Sequence, residues 1–401
     1  MFINKDSLIY SIISIFISVG FIFISDTIFY EKVLHQVFNI GHVLPSFLDF
    51  RCYQAIVPTV EAGLNPYIEN PFDPFARPFN LPFIWFYIAR FINLENEIIF
   101  NLIVFLFIFF YCYSVFMITN LVNTNKKMFL AILLIISTSS MLLIERGNTD
   151  MMIFFLIFCS VFNSNFIKSS VFIFLATILK VYPIFTFFIN FKDMKFFLLS
   201  ITIAIAAFLT FFGELTFFYS NTSSGNDTSF VFGLGAISNA ILKGLDRIEF
   251  NLLESFIHTS SHIHIFLTLC VFVLIIMFYL LNKKIYSNIN FNDNENRLFL
   301  AGASIYCGSF IFFTSYDYRL VFLIFTIPYF FNKLNKYYFI YIISLYLSMN
   351  SLILFSIAEK PMDYLYIGMF IHFLKFLVFL VLMYELTKFI NLFFKNLKIK
   401  L

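Results

Sequence analysis

Residues 98–125 of this chain, IIFNLIVFLFIFFYCYSVFMITNLVNTN, contain no charged side chain. Backbone placed in hydrocarbon must satisfy its N–H and C=O groups internally. A helix of about 20 apolar residues crosses a bilayer core of about 30 Å. The run therefore predicts a membrane-spanning helix, placed at 97–122. Similar runs recur along the 401 residues, of which 61% are apolar and 12% charged. Soluble domains are about 45–50% apolar and about 25% charged. The expected fold is an all-α polytopic membrane protein with no soluble domain and no internal repeat.

Lysine-rich short loops mark the cytoplasmic side. The clusters are Lys126–Lys127, Lys192 with Lys195, Lys283–Lys284, Lys333 with Lys336, and the tail Lys395, Lys398 and Lys400; Lys168 joins them. Threading the chain on these marks gives about twelve spans with both termini inside. They lie at 7–29, 97–122, 128–144, 150–164, 168–181, 183–191, 196–218, 262–281, 297–315, 320–332, 337–357 and 364–390. The first run follows Lys5–Asp6 without an A-x-A-like cleavage site and is expected to be retained. Residues 81–92 are too short to span comfortably and are read as a helix on or dipping into the outer face. A net charge of +3 argues against a nucleic-acid partner. Cys52, Cys112, Cys159, Cys270 and Cys307 sit mostly in apolar runs without metal-ligand spacing, and read as small buried hydrophobes.

This threading gathers the unusual polar residues at the outer surface: Asp49, Arg51, Asn65, Arg77, Arg146, Asn148, Asp150, Lys180, Tyr182, Asp317 and Arg319. The midplane positions are mostly Phe, Ile and Leu. A transporter needs polar groups at the midplane, so an outward-facing active site fits better. In the outer loop 30–96, a helix over 46–62 puts Asp49 and Tyr53 four apart on one face, and the Gly63–Pro66 run ends it. In ERGNTD, residues 145–150, Arg146 and Asp150 are also four apart. Either they form a plain ion pair, or Arg146 faces an anionic ligand while Asp150 holds its guanidinium. Lys180, beside Tyr182–Pro183, either snorkels or meets the same ligand. Tyr316-Asp317-Tyr318-Arg319 carries an Asp–Arg pair between two spans, or ordinary interfacial tyrosines. His258 and His262 are four apart, with His264 nearby. Without a third ligand they read as a loop or span start rather than a metal site.

Three of these stretches resemble a known family. Asp49 and Tyr53 with Ala55, then Gly63-Leu64-Asn65-Pro66-Tyr67, look like the first-loop motif of the GT-C membrane glycosyltransferases, in particular glycosyltransferase family 87. Arg146-Gly147-Asn148-Thr149-Asp150 followed by Lys180-Val181-Tyr182-Pro183 is similar to that family and to the GPI mannosyltransferase I catalytic subunit. Tyr316-Asp317-Tyr318-Arg319 fits a later turn more loosely. The resemblance covers residues 7–190. It implies a GT-C-like bundle with a large first extracytoplasmic loop carrying interfacial helices. It implies one domain over 1–401, with a catalytic module at 7–190 and a variable transmembrane module at 191–401. It also implies an inverting hexosyltransferase in the plasma membrane, mannose by default. The donor would be a polyprenyl-phosphate sugar and the acceptor an extracytoplasmic glycan or glycolipid. Asp49 takes the position of the catalytic aspartate.

The chemistry agrees on independent grounds. One base suffices to take the acceptor proton in an inverting transfer, and Asp49 at an interfacial helix start can serve. The leaving lipid phosphate needs cations, which Arg146, Lys180 and Arg319 can supply. Asn148, Asp150, Tyr182, Tyr316 and Asp317 are the further candidates around the donor, and Tyr53, Asn65 and Tyr67 complete the outer-loop motif. No residue pattern requires a cofactor or a divalent metal, although Asp49 and Asp150 leave a metal open. The competing readings are a polysaccharide polymerase or ligase, expected to carry its large loop late in the chain, and a lipid-linked glycan transporter.

Overall fold

The computed structural model describes residues 5–190, 194–211, 213, 231–247, 260–282, 291, 293–312, 314–358 and 361–400. Among these the chain is helical apart from its turns and one short antiparallel pairing, of β1 (Val231–Phe232) with β2 (Ser315–Tyr316). The all-α expectation holds. The chain divides into two compact units, Met1–Ile184 with Ser200–Ser223 and Phe185–Leu199 with Ser224–Leu401.

The first stretch of chain contains α1 (Lys5–Ile24), α2 (Ile28–Phe38), α3 (Leu48–Glu61), α4 (Ile84–Phe91), α5 (Glu97–Thr119), α6 (Lys127–Ile135), α7 (Thr138–Glu145), α8 (Asp150–Phe162) and α9 (Phe166–Leu179). A 3-10 segment, Tyr182–Asn190, and α10 (Met194–Phe211) follow. The remainder contains α11 (Leu234–Arg247), α12 (Ser260–Asn282), α13 (Asn294–Phe312), a 3-10 segment Asp317–Thr326, α14 (Ile327–Asn332), α15 (Lys336–Met349), α16 (Ser351–Phe355) and α17 (Pro361–Lys400).

Short polar residues ahead of apolar runs start many of these helices, because a side-chain oxygen satisfies N–H groups that have no partner in the first turn. Asn96 accepts from the N–H of Ile98 and Ile99, Asn165 from Ile167 and Lys168, and Asn335 from Tyr337 and Tyr338. Packing then selects the faces. In the first unit α5 lies against α1, α6 and α8, while α9 packs on α8 and α4. Phe50 of α3 meets Phe100 and Phe107 of α5 at ring separations of 5.2 Å each.

Among the described residues four stretches, Asp6–Ile24, Glu97–Thr119, Ile263–Asn282 and Tyr366–Lys395, are long and apolar enough to cross a membrane. A bent pair, Lys127–Ile135 with Thr138–Glu145, makes a fifth. α1 and α12 leave most of their apolar surface uncovered by protein, including Phe16, Phe23, Phe266 and Leu269. That is the surface a helix presents to lipid.

The expected twelve spans are not reached on this measure. The stretch at 128–144 is two helices bent by 55°. Its serines take up the backbone groups the bend frees: the hydroxyls of Ser137 and Ser140 donate to the Leu134 carbonyl at 2.8 and 2.6 Å. Such side-chain competition is a known source of helix breaks. α8 and α9 have 13 and 14 residues, about 20 Å each at 1.5 Å per residue. The stretch at 183–191 is 3-10 helix over its described residues, to Asn190, and that at 320–332 is a 3-10 segment followed by the six residues of α14. Hydropathy counts apolar residues; it does not report whether the helix is continuous. Residues 81–92 do carry the expected short helix, α4.

In the second unit Gly302 lets α13 press against the 3-10 segment. A Cβ there would meet the Phe322 carbonyl oxygen at 2.7 Å and the Phe325 Cβ at 2.9 Å. Gly302→Ala should therefore lower stability by about 1–3 kcal/mol, the usual range for overpacking, read as a lower thermal unfolding midpoint in detergent.

Candidate active site

The site is built on the first turn of α3. Its opening N–H groups have no helical partner, and Phe47 at the N-cap offers no side-chain acceptor. The Arg146 carbonyl supplies one from another segment, accepting from the N–H of Asp49 at 3.0 Å and of Phe50 at 3.4 Å. This contact needs Gly147. Its φ of +60° is disfavoured for side-chain-bearing residues, and a Cβ there would lie 2.7 Å from the Phe47 Cβ.

Docking of the 146–150 turn sets two further bonds along one face of α3. The Asn148 amide donates to the Asp49 Oδ2 at 2.9 Å, and the Tyr53 hydroxyl pairs with the Thr149 hydroxyl at 2.8 Å. The four-residue spacing of Asp49 and Tyr53 thus places both against the same turn. Burial pushes the Tyr53 phenol well above its usual range, the Thr149 bond opposing only part of this. Burial likewise pushes the Cys52 thiol up to about 12, so it stays neutral.

α8 starts at Asp150, and Lys180 caps the end of α9. The two helices pack as a hairpin, which brings the start of α8 and the end of α9 together. Lys180 Nζ donates to the Asp150 Oδ1 at 2.5 Å and to the Asn148 Oδ1 at 2.8 Å. Both charges are buried. The expected Arg146–Asp150 pair is absent as a consequence. Gly147 interrupts the helix between them, so the four-residue spacing is not helical. Lys180 does not snorkel; it is held inward by Asp150. Tyr182 is buried at the start of the 3-10 segment.

Arg77, which lies outside the first-loop motif, closes the other flank of Asp49. It forms a forked pair with Asp73 at 3.0 and 2.9 Å, donates to the Leu48 carbonyl at 2.8 Å, and lies 3.5 Å from the Asp49 Oδ1. Burial works against its charge, but the Asp73 hydrogen bond and the carboxylates of Asp73 and Asp49 outweigh it and hold its pKa above the ordinary value. The Asp-x3-Arg spacing in DPFAR was the available signal. The Asp49 side chain keeps 27% exposure and Arg77 36%, so both are open to a ligand.

Arg146 turns the other way. Its Nε lies 3.0 Å from the Glu145 Oε2, while the Glu145 Oε1 stands 3.4 Å from the His42 Nδ1. The Asn65 side chain accepts from the Tyr67 N–H, and the Tyr67 hydroxyl donates to the Leu81 carbonyl at 2.9 Å. These two residues shape the loop turn.

Tyr316, Asp317 and Arg319 belong to the second unit. Asp317 does not pair with Arg319. Both its oxygens accept from the Lys375 ammonium, at 2.7 and 2.8 Å, and Ser351 adds a third bond at 2.7 Å. Lys375 also donates to the Val231 carbonyl. Arg319 donates to the Ser315 hydroxyl, and Tyr316 is exposed. Lys375, a lone charge within an apolar run, was the missed signal. Among the described residues no group of three or more His, Cys, Asp or Glu could hold a metal ion. Asp150, left open as a ligand by the sequence, is committed to Lys180. His258 lies outside the described residues; His262 and His264 lie in α12.

Compared with known proteins, the chain matches no protein-family model, and no curated protein matches it.

Gly147→Ala should lower stability by about 2–4 kcal/mol through overpacking and strain at positive φ, measured by thermal unfolding. Lys375→Met should lose about 3–5 kcal/mol by stranding Asp317, and adding Asp317→Leu should recover most of it.

Proposed function

We propose that this protein is an inverting membrane glycosyltransferase. It moves a hexose, mannose by default, from a polyprenyl-phosphate donor to a hydroxyl of a glycan or glycolipid acceptor at the extracytoplasmic face. The observation that carries the reading is Asp49: a part-exposed carboxylate fixed between Asn148 and Arg77, in a chain with helices of membrane length. The resemblance of the Asp49, Arg146–Asp150 and Lys180–Pro183 motifs to the GT-C glycosyltransferases supports the donor class and the bundle of spans.

Asp49 takes the proton of the acceptor hydroxyl as that oxygen bonds to the anomeric carbon from the face opposite the phosphate. The bond from the anomeric carbon to the phosphate oxygen breaks, and polyprenyl phosphate leaves with the electron pair. Its growing charge needs cations in a poorly hydrated setting. Arg77 adjoins the acid and Arg146 lies on the turn docked to α3; both keep exposed surface, the condition for contact with a phosphate.

Purified protein incubated with a panel of polyprenyl-phosphate sugars should consume one of them. Asp49→Asn should lower turnover by about 10²–10⁴-fold, the range for a lost general base, with thermal unfolding unchanged. Full turnover by that variant removes Asp49 as the base. Consumption only of a polyprenyl diphosphate oligosaccharide would point instead to a polymerase or ligase.

A further inference from the structure

Asn148 and Lys180 were candidates for gripping the donor, but their bonds point elsewhere. The Asn148 Oδ1 accepts from two donors at once, the Lys180 ammonium at 2.8 Å and the Asp150 N–H at 3.0 Å. An amide so held cannot turn over without setting its NH2 against two donors. Its NH2 therefore faces the Asp49 Oδ2, at 2.9 Å. Lys180 is itself fixed by Asp150 and is 5% exposed, leaving its ammonium little surface to offer a substrate. The Asp49 Oδ1 is the looser oxygen, facing among the described residues only a 3.5 Å approach by Arg77, near the outer limit for a hydrogen bond.

We propose that Asn148 and Lys180 are positioning residues for Asp49: the Lys180 ammonium orients the Asn148 amide, which holds Oδ2 and leaves Oδ1 as the atom that takes the acceptor proton. The inference rests on the reading of Asp49 as the base. Asp150 completes the line by anchoring Lys180. A buried cation thus acts on a carboxylate it does not touch, through one neutral side chain that connects the α8–α9 hairpin to α3.

The kinetic test uses polyprenyl-phosphate mannose, or whichever donor of the panel is consumed. Asn148→Ala and Lys180→Gln should each lower kcat, by up to about 10²-fold for a base displaced from its geometry. Donor KM should stay within about twofold, since neither residue adds binding in the ground state. The double variant should be no slower than Asn148→Ala alone. Glutamine retains a donor at position 180 where methionine would strand Asp150. A raised donor KM in Lys180→Gln, or losses that multiply in the double variant, would mean that Lys180 meets the donor directly and would overturn the relay.

A second measurement needs no activity. In protein carrying carbon-13 at the aspartate carboxyls, the Asp49 resonance is identified by its loss in Asp49→Asn. It should shift in Asn148→Ala and also in Lys180→Gln. A resonance that ignores Lys180→Gln overturns the relay. If wild-type protein consumes no donor while both variants shift the resonance, the positioning line stands and the glycosyltransferase reading falls.

Discussion

The candidate site depends on one backbone carbonyl. Arg146 O closes the open N-terminus of α3, and the Asn148 contact to Asp49 and the Thr149 contact to Tyr53 follow from that docking. A helix start buried without acceptors would leave N–H groups unsatisfied, which proteins rarely tolerate. Elsewhere in this chain asparagine, serine or threonine side chains do the same work locally. At α3 the acceptor comes from almost a hundred residues away. Local capping would start the helix; the borrowed carbonyl also decides what faces Asp49. Gly147 is the condition, because only a residue without Cβ fits against Phe47 at that φ.

Charge pairing fixes the rest. An ammonium or carboxylate removed from water is costly unless paired and hydrogen-bonded. Lys180 with Asp150, and Lys375 with Asp317, are both buried and both bonded further, to Asn148 in one case and to Ser351 and the Val231 carbonyl in the other. Glu385 follows the same pattern with Tyr329, Tyr338 and Lys388. Such pairs add little net stability, but an arrangement that strands either partner is heavily disfavoured. They therefore select which segments meet. Around the site, Asp49, Arg77 and Arg146 keep exposed surface for a ligand.

Much of this was open to inspection in the residue order. The helix expected over 46–62 and found at Leu48–Glu61, its end before Gly63, the shared face of Asp49 and Tyr53, and the short hairpin between ERGNTD and KVYP all have local causes: helical period, a glycine at positive φ, apolar runs between polar turns. The bend at 135–138 was also written locally, in a serine cluster that hydropathy alone reads as part of a span. Spacing misled at Arg146 and Asp150, since four residues share a face only where the helix is unbroken.

The sequence by itself determined an all-helical chain with membrane-length spans, and the positions at which polar groups interrupt the apolar runs, because both follow from the free energy of single segments in hydrocarbon or water. Only the tertiary structure decided the partners. Asp150 joins Lys180 rather than Arg146, Asp317 joins Lys375 rather than Arg319, and Arg77 comes to Asp49 from a separate turn. A charge's partner is the group that packing brings within a few ångströms, and that distance is a property of the folded chain rather than of spacing along it.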